Sequence, residues 1–192
     1  LSFNWDPLYE RSYRKLKGIS IPNKNLGFGK GFCKNALLKL HGSIDWGRCK
    51  QCNGLHMSDR IEHIVYGQKC PSCNSDNLTI THILPVLTKF ENISRTDNYP
   101  PYRNIWRCAT HALSEAQEIY FFGYSLSDND AHAKIFLKSA IFKNINPNLK
   151  LYVIDKCCCE DLQNRYKNAF EKKIKPEFIE KTFKDYFIND SV

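Results

Sequence analysis

The chain has 192 residues, of which 42% are hydrophobic and 13% aromatic, and this composition is typical of a globular domain with a buried core. No apolar run reaches the ~18 residues that would span a bilayer, and charged residues near the start exclude a secretory signal peptide, so we expect a cytoplasmic protein. The net charge of +8 comes from scattered lysines and arginines, which favours a solvated surface over contact with nucleic acid.

The pattern of apolar residues predicts strands and helices in alternation. The segment 1–6 has the pattern of the end of a buried strand, and because domains seldom begin inside a strand we expect further sequence before Leu1. Helices are predicted over about 7–17, 105–118, 131–143 and 160–170. Apolar strands are predicted at 36–40, 83–87, 119–123 and 151–155, with an edge strand near 182–187. This alternation predicts an α/β fold with a doubly wound, Rossmann-like parallel sheet.

Polar residues that follow the strands are the candidates for a ligand site, because open α/β sheets bind ligands at the carboxyl ends of their strands. Taken singly, an Asn is more often a turn former and a His more often a buried core residue, so the order of the residues along the chain carries the information. The candidates are Asn4, Asp6, His41, Ser43, Gly123, Ser125 and Asp155.

Residues 45–79 differ from the rest of the chain, because Cys, Gly, Asn and Ser replace the apolar runs. The two Cys-x-x-Cys pairs in this segment, Cys49 with Cys52 and Cys70 with Cys73, are separated by 17 residues, which is a spacing typical of a zinc ribbon. Four thiolates leave no coordination position for water, so the zinc ion is predicted to be structural. We therefore predict a Rossmann-like domain formed by 1–44 and 80–192, with 45–79 inserted as a zinc ribbon.

The remaining His and Cys residues are assigned to structure. His56 and His63 lie between the cysteine pairs and could replace a thiol, but the complete set of four cysteines favours thiol ligands. The nine cysteines are odd in number and unevenly spaced, which argues against a disulfide framework. Cys33, Cys108 and the run 157–159 are predicted to be small buried residues rather than ligands.

Several of these motifs occur in the order found in sirtuins. Asn4-Trp5-Asp6 comes first, then His41-Gly42-Ser43, the two cysteine pairs, and Gly123-Tyr124-Ser125-Leu126. The segments 39–46 and 122–128 are similar to the sirtuin-like domains of bacterial antiphage defence systems. The resemblance extends from Leu1 to about Asp155. It implies a Rossmann-like sheet with an inserted zinc module, and cleavage of the nicotinamide–ribose bond of NAD.

The resemblance also implies roles for the polar residues of the first motifs. Asn4 would orient the nicotinamide ribose or the attacking water, and His41 would act as the general base. A histidine with an ordinary pKa of ~6.5 can accept a proton at neutral pH. Asp6 would help to form the nicotinamide pocket.

The remaining NAD contacts implied by the resemblance come from three residues. Gly123 and Ser125 would approach the phosphates and ribose, and Asp155 would meet the adenosine ribose. Ser43, next to the His-Gly pair, completes the predicted set.

Two departures from the sirtuin pattern bear on activity. The glycine-rich phosphate loop that sirtuins carry after their first strand is absent, and the glycines of 27–31 follow the Asn-Trp-Asp motif and do not replace it, so this chain alone is expected to bind NAD incompletely. Asp155 stands where protein-deacylating sirtuins have Asn, which favours NAD hydrolysis over deacylation.

The sequence leaves three functions open: an NAD hydrolase of antiphage defence, an NAD-dependent deacylase, and a non-catalytic scaffold that senses NAD or ADP-ribose. The hydrolase is the leading hypothesis. We expect zinc as a structural cofactor and NAD as the substrate. A sensor domain or partner protein, an oligomeric assembly, and no contact with membrane or nucleic acid are also expected.

Overall fold

The fold was obtained as a computed structural model, which describes residues 1–3, 6, 8–19, 26, 36–57, 69–76, 78–82 and 100–188. The chain divides into two units, Leu1–Ala109 and Thr110–Val192. No helix within the described ranges is long and apolar enough to cross a lipid bilayer. The structure is mixed α/β and contains a parallel sheet, as predicted.

The first helix, α1, covers Leu8–Lys17 and confirms the helix predicted at 7–17. Asp6 lies at its start, where one carboxylate oxygen accepts a hydrogen bond from the backbone N–H of Leu8 at 3.1 Å. This contact satisfies one of the backbone donors left without a partner in the first turn of a helix. The helix ends at Gly18, whose φ of +71° suits a residue without a Cβ.

Within the part of the chain that the structure describes, the strand predicted at 36–40 is reduced to a single parallel bridge between Ser2 and Lys39. Two backbone hydrogen bonds of 2.9 Å form it, from Ser2 N to the Leu38 carbonyl and from Leu40 N to the Ser2 carbonyl. The pairing ends there because the chain turns at once: the N–H of Gly42, with φ +77°, donates to the Lys39 carbonyl at 3.1 Å.

Three antiparallel strands follow in the first unit, with β1 (Gly42–Cys49) between β2 (Leu55–Met57) and β3 (Leu78–His82). Trp46, at the centre of β1, is fully buried. This sheet begins three residues before the predicted insert, because β1 starts directly at the turn after Lys39. The strand predicted at 83–87 lies outside the described residues.

From Pro100 onward, helices and strands alternate. The elements are α2 (Pro100–Glu115), β4 (Glu118–Phe122), α3 (Ala131–Phe142), β5 (Lys150–Asp155), α4 (Glu160–Phe170), β6 (Glu177–Glu180) and α5 (Phe183–Ile188). The strands form a parallel sheet in the order β4-β5-β6. The predictions for β4, α3, β5 and α4 are confirmed to within one residue at each end.

In this half of the chain, the helix predicted at 105–118 is present with different ends, and the edge strand predicted near 182–187 was wrong. The helix predicted at 105–118 begins earlier, at Pro100, because proline fits the first turn of a helix, where its missing N–H is not needed. The edge strand predicted near 182–187 is helix α5, and the third strand is β6. The missed signal is an N-cap: the Thr182 hydroxyl accepts a hydrogen bond from Asp185 N at 3.2 Å.

The core of the second unit lies between the sheet and its helices. Phe121 on β4, Leu151 and Val153 on β5 and Phe170 on α4 are all buried. Asn144 is fully buried as well, and its amide donates hydrogen bonds of 2.9 Å to the carbonyls of Leu113 and Ala116. These carbonyls lie at the end of α2 and lack helical partners, so the amide satisfies them and fixes the entry into β4.

Candidate functional site

The four predicted zinc ligands come together in the first unit. Their Sγ atoms all lie within 4.8 Å of one another, with 3.5 Å between Cys49 and Cys73 and 3.6 Å between Cys52 and Cys70. A tetrahedral zinc ion with Zn–S bonds of about 2.3 Å requires sulfur–sulfur separations of about 3.8 Å. The cluster therefore fits a structural zinc ion, and with four thiols it leaves no open position for chemistry.

Two tight turns of the backbone place the four thiols around one point. Cys49 N donates to the Gly54 carbonyl at 3.0 Å, and Cys70 N donates to the Ser75 carbonyl at 2.8 Å. Asn74 has a φ of +59°, which asparagine tolerates better than most residues. At Gly54, a Cβ would lie 2.7 Å from Nε2 of His56 and 3.3 Å from Cys52 Sγ, so a larger residue there would require the His56 side chain to move.

The surroundings affect the thiols of the cluster unequally: the pKa values of Cys52 and Cys73 are raised by burial and by the neighbouring thiols, that of Cys73 to about 12, whereas the pKa of Cys49 is lowered. The backbone N–H of Cys52 is directed at the Cys49 sulfur and lowers the pKa of this thiol to about 6. His56 Nε2 lies 3.3 Å from Cys70 Sγ, and burial lowers the pKa of this imidazole. His56 therefore supports a thiol from outside the ligand set, and His63 lies outside the described residues.

His41 lies directly after the Ser2–Lys39 bridge and is 2% exposed. Its ring meets the Phe3 ring edge to face, with 5.3 Å between the centroids. The bridge thus brings the His-Gly motif next to the segment that carries the Asn-Trp-Asp motif. Asn4 itself lies outside the described residues.

Beside His41, a buried lysine holds two of the predicted NAD contacts. Lys39 is 1% exposed, and its ammonium group donates hydrogen bonds to the Ser43 hydroxyl at 2.7 Å and to the Asp6 carbonyl at 2.5 Å. The carboxylate of Glu10 lies 3.0 Å from the same nitrogen. Ser43 and Asp6 therefore have partners within the protein, and their contact with NAD stays a prediction.

A cleft of about 330 Å³ opens in the second unit, at the carboxyl ends of β4 and β5. Two predicted NAD contacts, Gly123 and Asp155, line it. The other lining residues are Phe122, Ile154, Lys156, Lys181, Thr182 and Phe183.

The two predicted residues shape this cleft in different ways. Gly123 has a φ of +58°, and a Cβ there would meet nothing within 4 Å, so glycine supplies the backbone conformation and leaves the space in front of it open. One oxygen of Asp155 accepts a hydrogen bond from Cys157 N at 3.1 Å, which fixes the carboxylate at the end of its strand.

Ser125 is exposed and does not line the cleft described above. Its backbone is held from α4, where Arg165 Nε donates to the Ser125 carbonyl at 2.8 Å and the Tyr166 hydroxyl donates to the Tyr124 carbonyl at 2.7 Å. Burial raises the pKa of Tyr166, so this hydroxyl keeps its proton. The loop is therefore rigidly anchored, with the Ser125 side chain at the surface.

The sequence did not point to several of the residues that the structure brings into these sites. Lys39 lies inside the apolar run 36–40, where a charge requires a buried partner, so its role in a buried ion pair could have been predicted. Its partner Glu10 is the buried residue of an otherwise exposed helix, which no local pattern marks. Lys181, Thr182 and Phe183 line the cleft only because β6 lies next to β5.

No family model matches the chain, and no curated protein matches it. Among solved structures, the chain is similar to sirtuins. One, from work on sirtuin substrate affinity, is 13% identical with a TM-score of 0.45 over 82% of this chain and 55% of that one. Another, Sir2 with a p53 peptide and NAD+, is 14% identical with a TM-score of 0.38 over 79% of this chain and 52% of that one. The chain spans about half the length of these structures.

Proposed function

We propose that this chain carries part of a sirtuin-like site that hydrolyses the nicotinamide–ribose bond of NAD. The observation that carries the proposal is the cleft at the carboxyl ends of β4 and β5, with Gly123 and Asp155 in its lining. Dinucleotides bind α/β sheets at this end of the strands, and an acidic side chain there commonly accepts hydrogen bonds from a ribose. The order of the sirtuin motifs along the chain supports the same proposal.

The charges around the cleft suit a nucleotide. The Asp155 carboxylate is held at the rim by Cys157 N and can accept hydrogen bonds from ribose hydroxyls. Lys156 and Lys181 line the same cleft and supply positive charge for the pyrophosphate. The open space in front of Gly123 allows the ligand to approach the backbone.

Hydrolysis requires a base and a polar anchor rather than a strong nucleophile. In the proposed step, the bond between C1′ of the ribose and the nicotinamide nitrogen breaks, and its electron pair stays on nicotinamide. A water oxygen then bonds to C1′, and the proton it loses passes to the imidazole of His41, which gives nicotinamide and ADP-ribose. The Asn4 amide would orient the ribose or the water. The burial of His41 beside Phe3 fits a base that is shielded from bulk solvent.

The zinc ion takes no part in this step. When bound, it would cross-link the two turns that carry Cys49, Cys52, Cys70 and Cys73, and so hold β1 to β3 together. A role in antiphage defence, in which NAD is depleted after infection, rests on the likeness of segments 39–46 and 122–128 to defence domains.

Nicotinamide release by the full-length gene product tests the proposal. NAD would be supplied with and without an acetylated peptide, and products would be separated by chromatography. Release without peptide, abolished by His41→Ala and by Asn4→Ala, is the expected result. His111→Ala is the matched control, because this imidazole lies beside Glu115 on α2 and has no proposed role.

The other outcomes identify the competing functions. Release that requires the peptide would replace hydrolysis with deacylation. No release under either condition, combined with measurable ADP-ribose binding, would identify a non-catalytic sensor.

A further inference from the structure

Lys39 carries a charge in the interior of the first unit. The side chain is 2% exposed and that of its partner Glu10 is 5% exposed, with 3.0 Å between Nζ and Oε1. Removing a charge from water is costly, and a buried ion pair is often no more stabilising than a well-packed apolar pair. The pair therefore calls for an explanation other than stability.

The partners of the Lys39 ammonium group suggest an explanation for the buried pair. Besides Glu10, Nζ donates hydrogen bonds to the backbone carbonyl of Asp6 and to the hydroxyl of Ser43. One cation thus joins the chain just before α1, the helix α1 itself, and the start of β1. An apolar side chain could fill the same volume, but it could not hold a carbonyl and a hydroxyl.

The segments joined in this way carry the two proposed catalytic residues. Asp6 follows Asn4 by two positions, and His41 lies between Lys39 and Ser43. The parallel bridge between Ser2 and Lys39 connects the same two segments through their backbones. The bridge joins the two segments at Ser2, and the lysine side chain joins them at Asp6.

We propose that Lys39 is a positioning residue, whose ammonium group holds the His41 segment against Asp6 in the relative geometry that catalysis requires, with Glu10 as its counter-ion. This inference rests on the proposed function. It assigns to the Ser43 hydroxyl a part in holding Lys39. It also gives a reason for a lysine in an apolar run.

The test separates positioning from stability by removing the ion pair as a unit. In Lys39→Met, Glu10 keeps a buried charge without its partner, so we expect the Tm to fall by roughly 10 °C or more. In the double variant Lys39→Met with Glu10→Leu, apolar side chains replace both partners, and the Tm should return to within a few degrees of wild type. Lys134→Met, which breaks the exposed pair with Asp128, is the control and should change neither Tm nor turnover.

The turnover number then shows whether Lys39 has a positioning role. In the double variant, kcat for nicotinamide release should stay roughly 10- to 100-fold below wild type although the Tm has recovered, because small misplacements of catalytic groups have effects of this size. KM for NAD should change much less than kcat. Glu10→Gln keeps the two hydrogen bonds of Lys39, so its turnover per folded molecule should stay near wild type.

Recovery of both Tm and kcat in the double variant would overturn the proposal. So would failure of every Lys39 variant to fold, because Lys39 would then be required for folding itself. If the wild type releases no nicotinamide, the proposed function has failed, and hydrogen exchange decides on the positioning role. Faster exchange of segments 1–6 and 36–43 in the double variant, at a wild-type Tm, supports it, and unchanged exchange refutes it.

Discussion

The two sheets of this protein are stabilised in different ways. The antiparallel sheet of the first unit consists of one eight-residue strand flanked by strands of three and five residues, with a cluster of four thiols at the ends of its strands. The parallel sheet of the second unit contains Phe121, Leu151 and Val153, which are buried among the helices. The comparison suggests that the first sheet depends on a metal ion and the second on an apolar core.

The interiors differ in polarity as well. Among the described residues, buried polar side chains are concentrated in the first unit, as Glu10, Lys39, His41, Ser43, Asp45 and Ser75, whereas the second unit has Asn144. Buried polar groups are costly unless they are satisfied, so proteins tend to keep them where function requires them. The first unit is therefore where we expect the chemistry of the proposed function, and the second unit carries the cleft lined by Gly123 and Asp155.

The largest expected effect is loss of the metal site. Zinc binding contributes ~10 kcal/mol to the folding of small zinc modules, so Cys70→Ser should release zinc and unfold the sheet of β1, β2 and β3. Zinc content, together with hydrogen exchange of 42–57 and 69–82, measures this. Exchange in β4 and β5 should stay slow. Cys157→Ser is the control, because Cys157 is exposed, where a buried residue was predicted. Full zinc binding by Cys70→Ser would refute the four-thiol site.

The next largest effect is expected from a core substitution in the parallel sheet of the second unit. Leu151 is fully buried on β5, so Leu151→Ala should lower the free energy of unfolding by about 2–5 kcal/mol through lost burial and a residual cavity. Urea denaturation measures the change. Ile145 is 92% exposed, and Ile145→Ala should change the free energy by less than about 0.5 kcal/mol. Equal effects at the two sites would show that the second unit lacks the core described here.

A smaller effect is expected in the cleft. Asp155→Asn keeps an oxygen for the hydrogen bond from Cys157 N but removes the negative charge. If the carboxylate accepts hydrogen bonds from a ribose, ADP-ribose should bind roughly tenfold more weakly, which is about 1.4 kcal/mol, with no change in Tm. Isothermal titration calorimetry gives the Kd, and Asp128→Asn, outside the cleft, is the control. Unchanged affinity would remove Asp155 from the proposed site.

The smallest effect is expected at the surface of β4. The Tyr120 hydroxyl donates to the Glu118 carboxylate at 2.6 Å, and this bond, followed by Lys150, lowers the pKa of Glu118. A lowered folded-state pKa stabilises the protein above the unfolded value, and this contribution is lost as pH falls through the folded pKa. Tyr120→Phe should therefore raise the pKa of Glu118 and weaken this acid dependence.

An NMR titration of the Glu118 carboxyl measures that change. Lys150→Met serves as the comparison and should raise the pKa of Glu118 less, because the Lys150 nitrogen is 3.5 Å from the carboxylate and both side chains are largely exposed. A larger rise of the Glu118 pKa in Lys150→Met than in Tyr120→Phe would show that Lys150, and not Tyr120, is the main cause of the lowered pKa.

Sequence patterns located most of the regular elements of the second unit. The strands β4 and β5 are continuous apolar runs, and the helices α3 and α4 have apolar faces at helical spacing. The end of the chain was assigned wrongly because aromatic residues suit both a strand and a short helix. There, the N-cap formed by Thr182 and Asp185 decided in favour of α5.

In the candidate sites, some residues can be predicted from the local sequence, whereas others are identified only by contacts between distant parts of the chain. The sequence by itself predicted the four thiols that form the cluster, because each pair lies within one tight turn and its spacing brings its two thiols together. It also determined the residues that end β4 and β5, Gly123 and Asp155. Only the tertiary structure decided that Lys39 meets Glu10, and that Lys181 and Phe183 share a cleft with Asp155. These contacts join elements far apart in the chain, and no local periodicity encodes which distant side chains will meet.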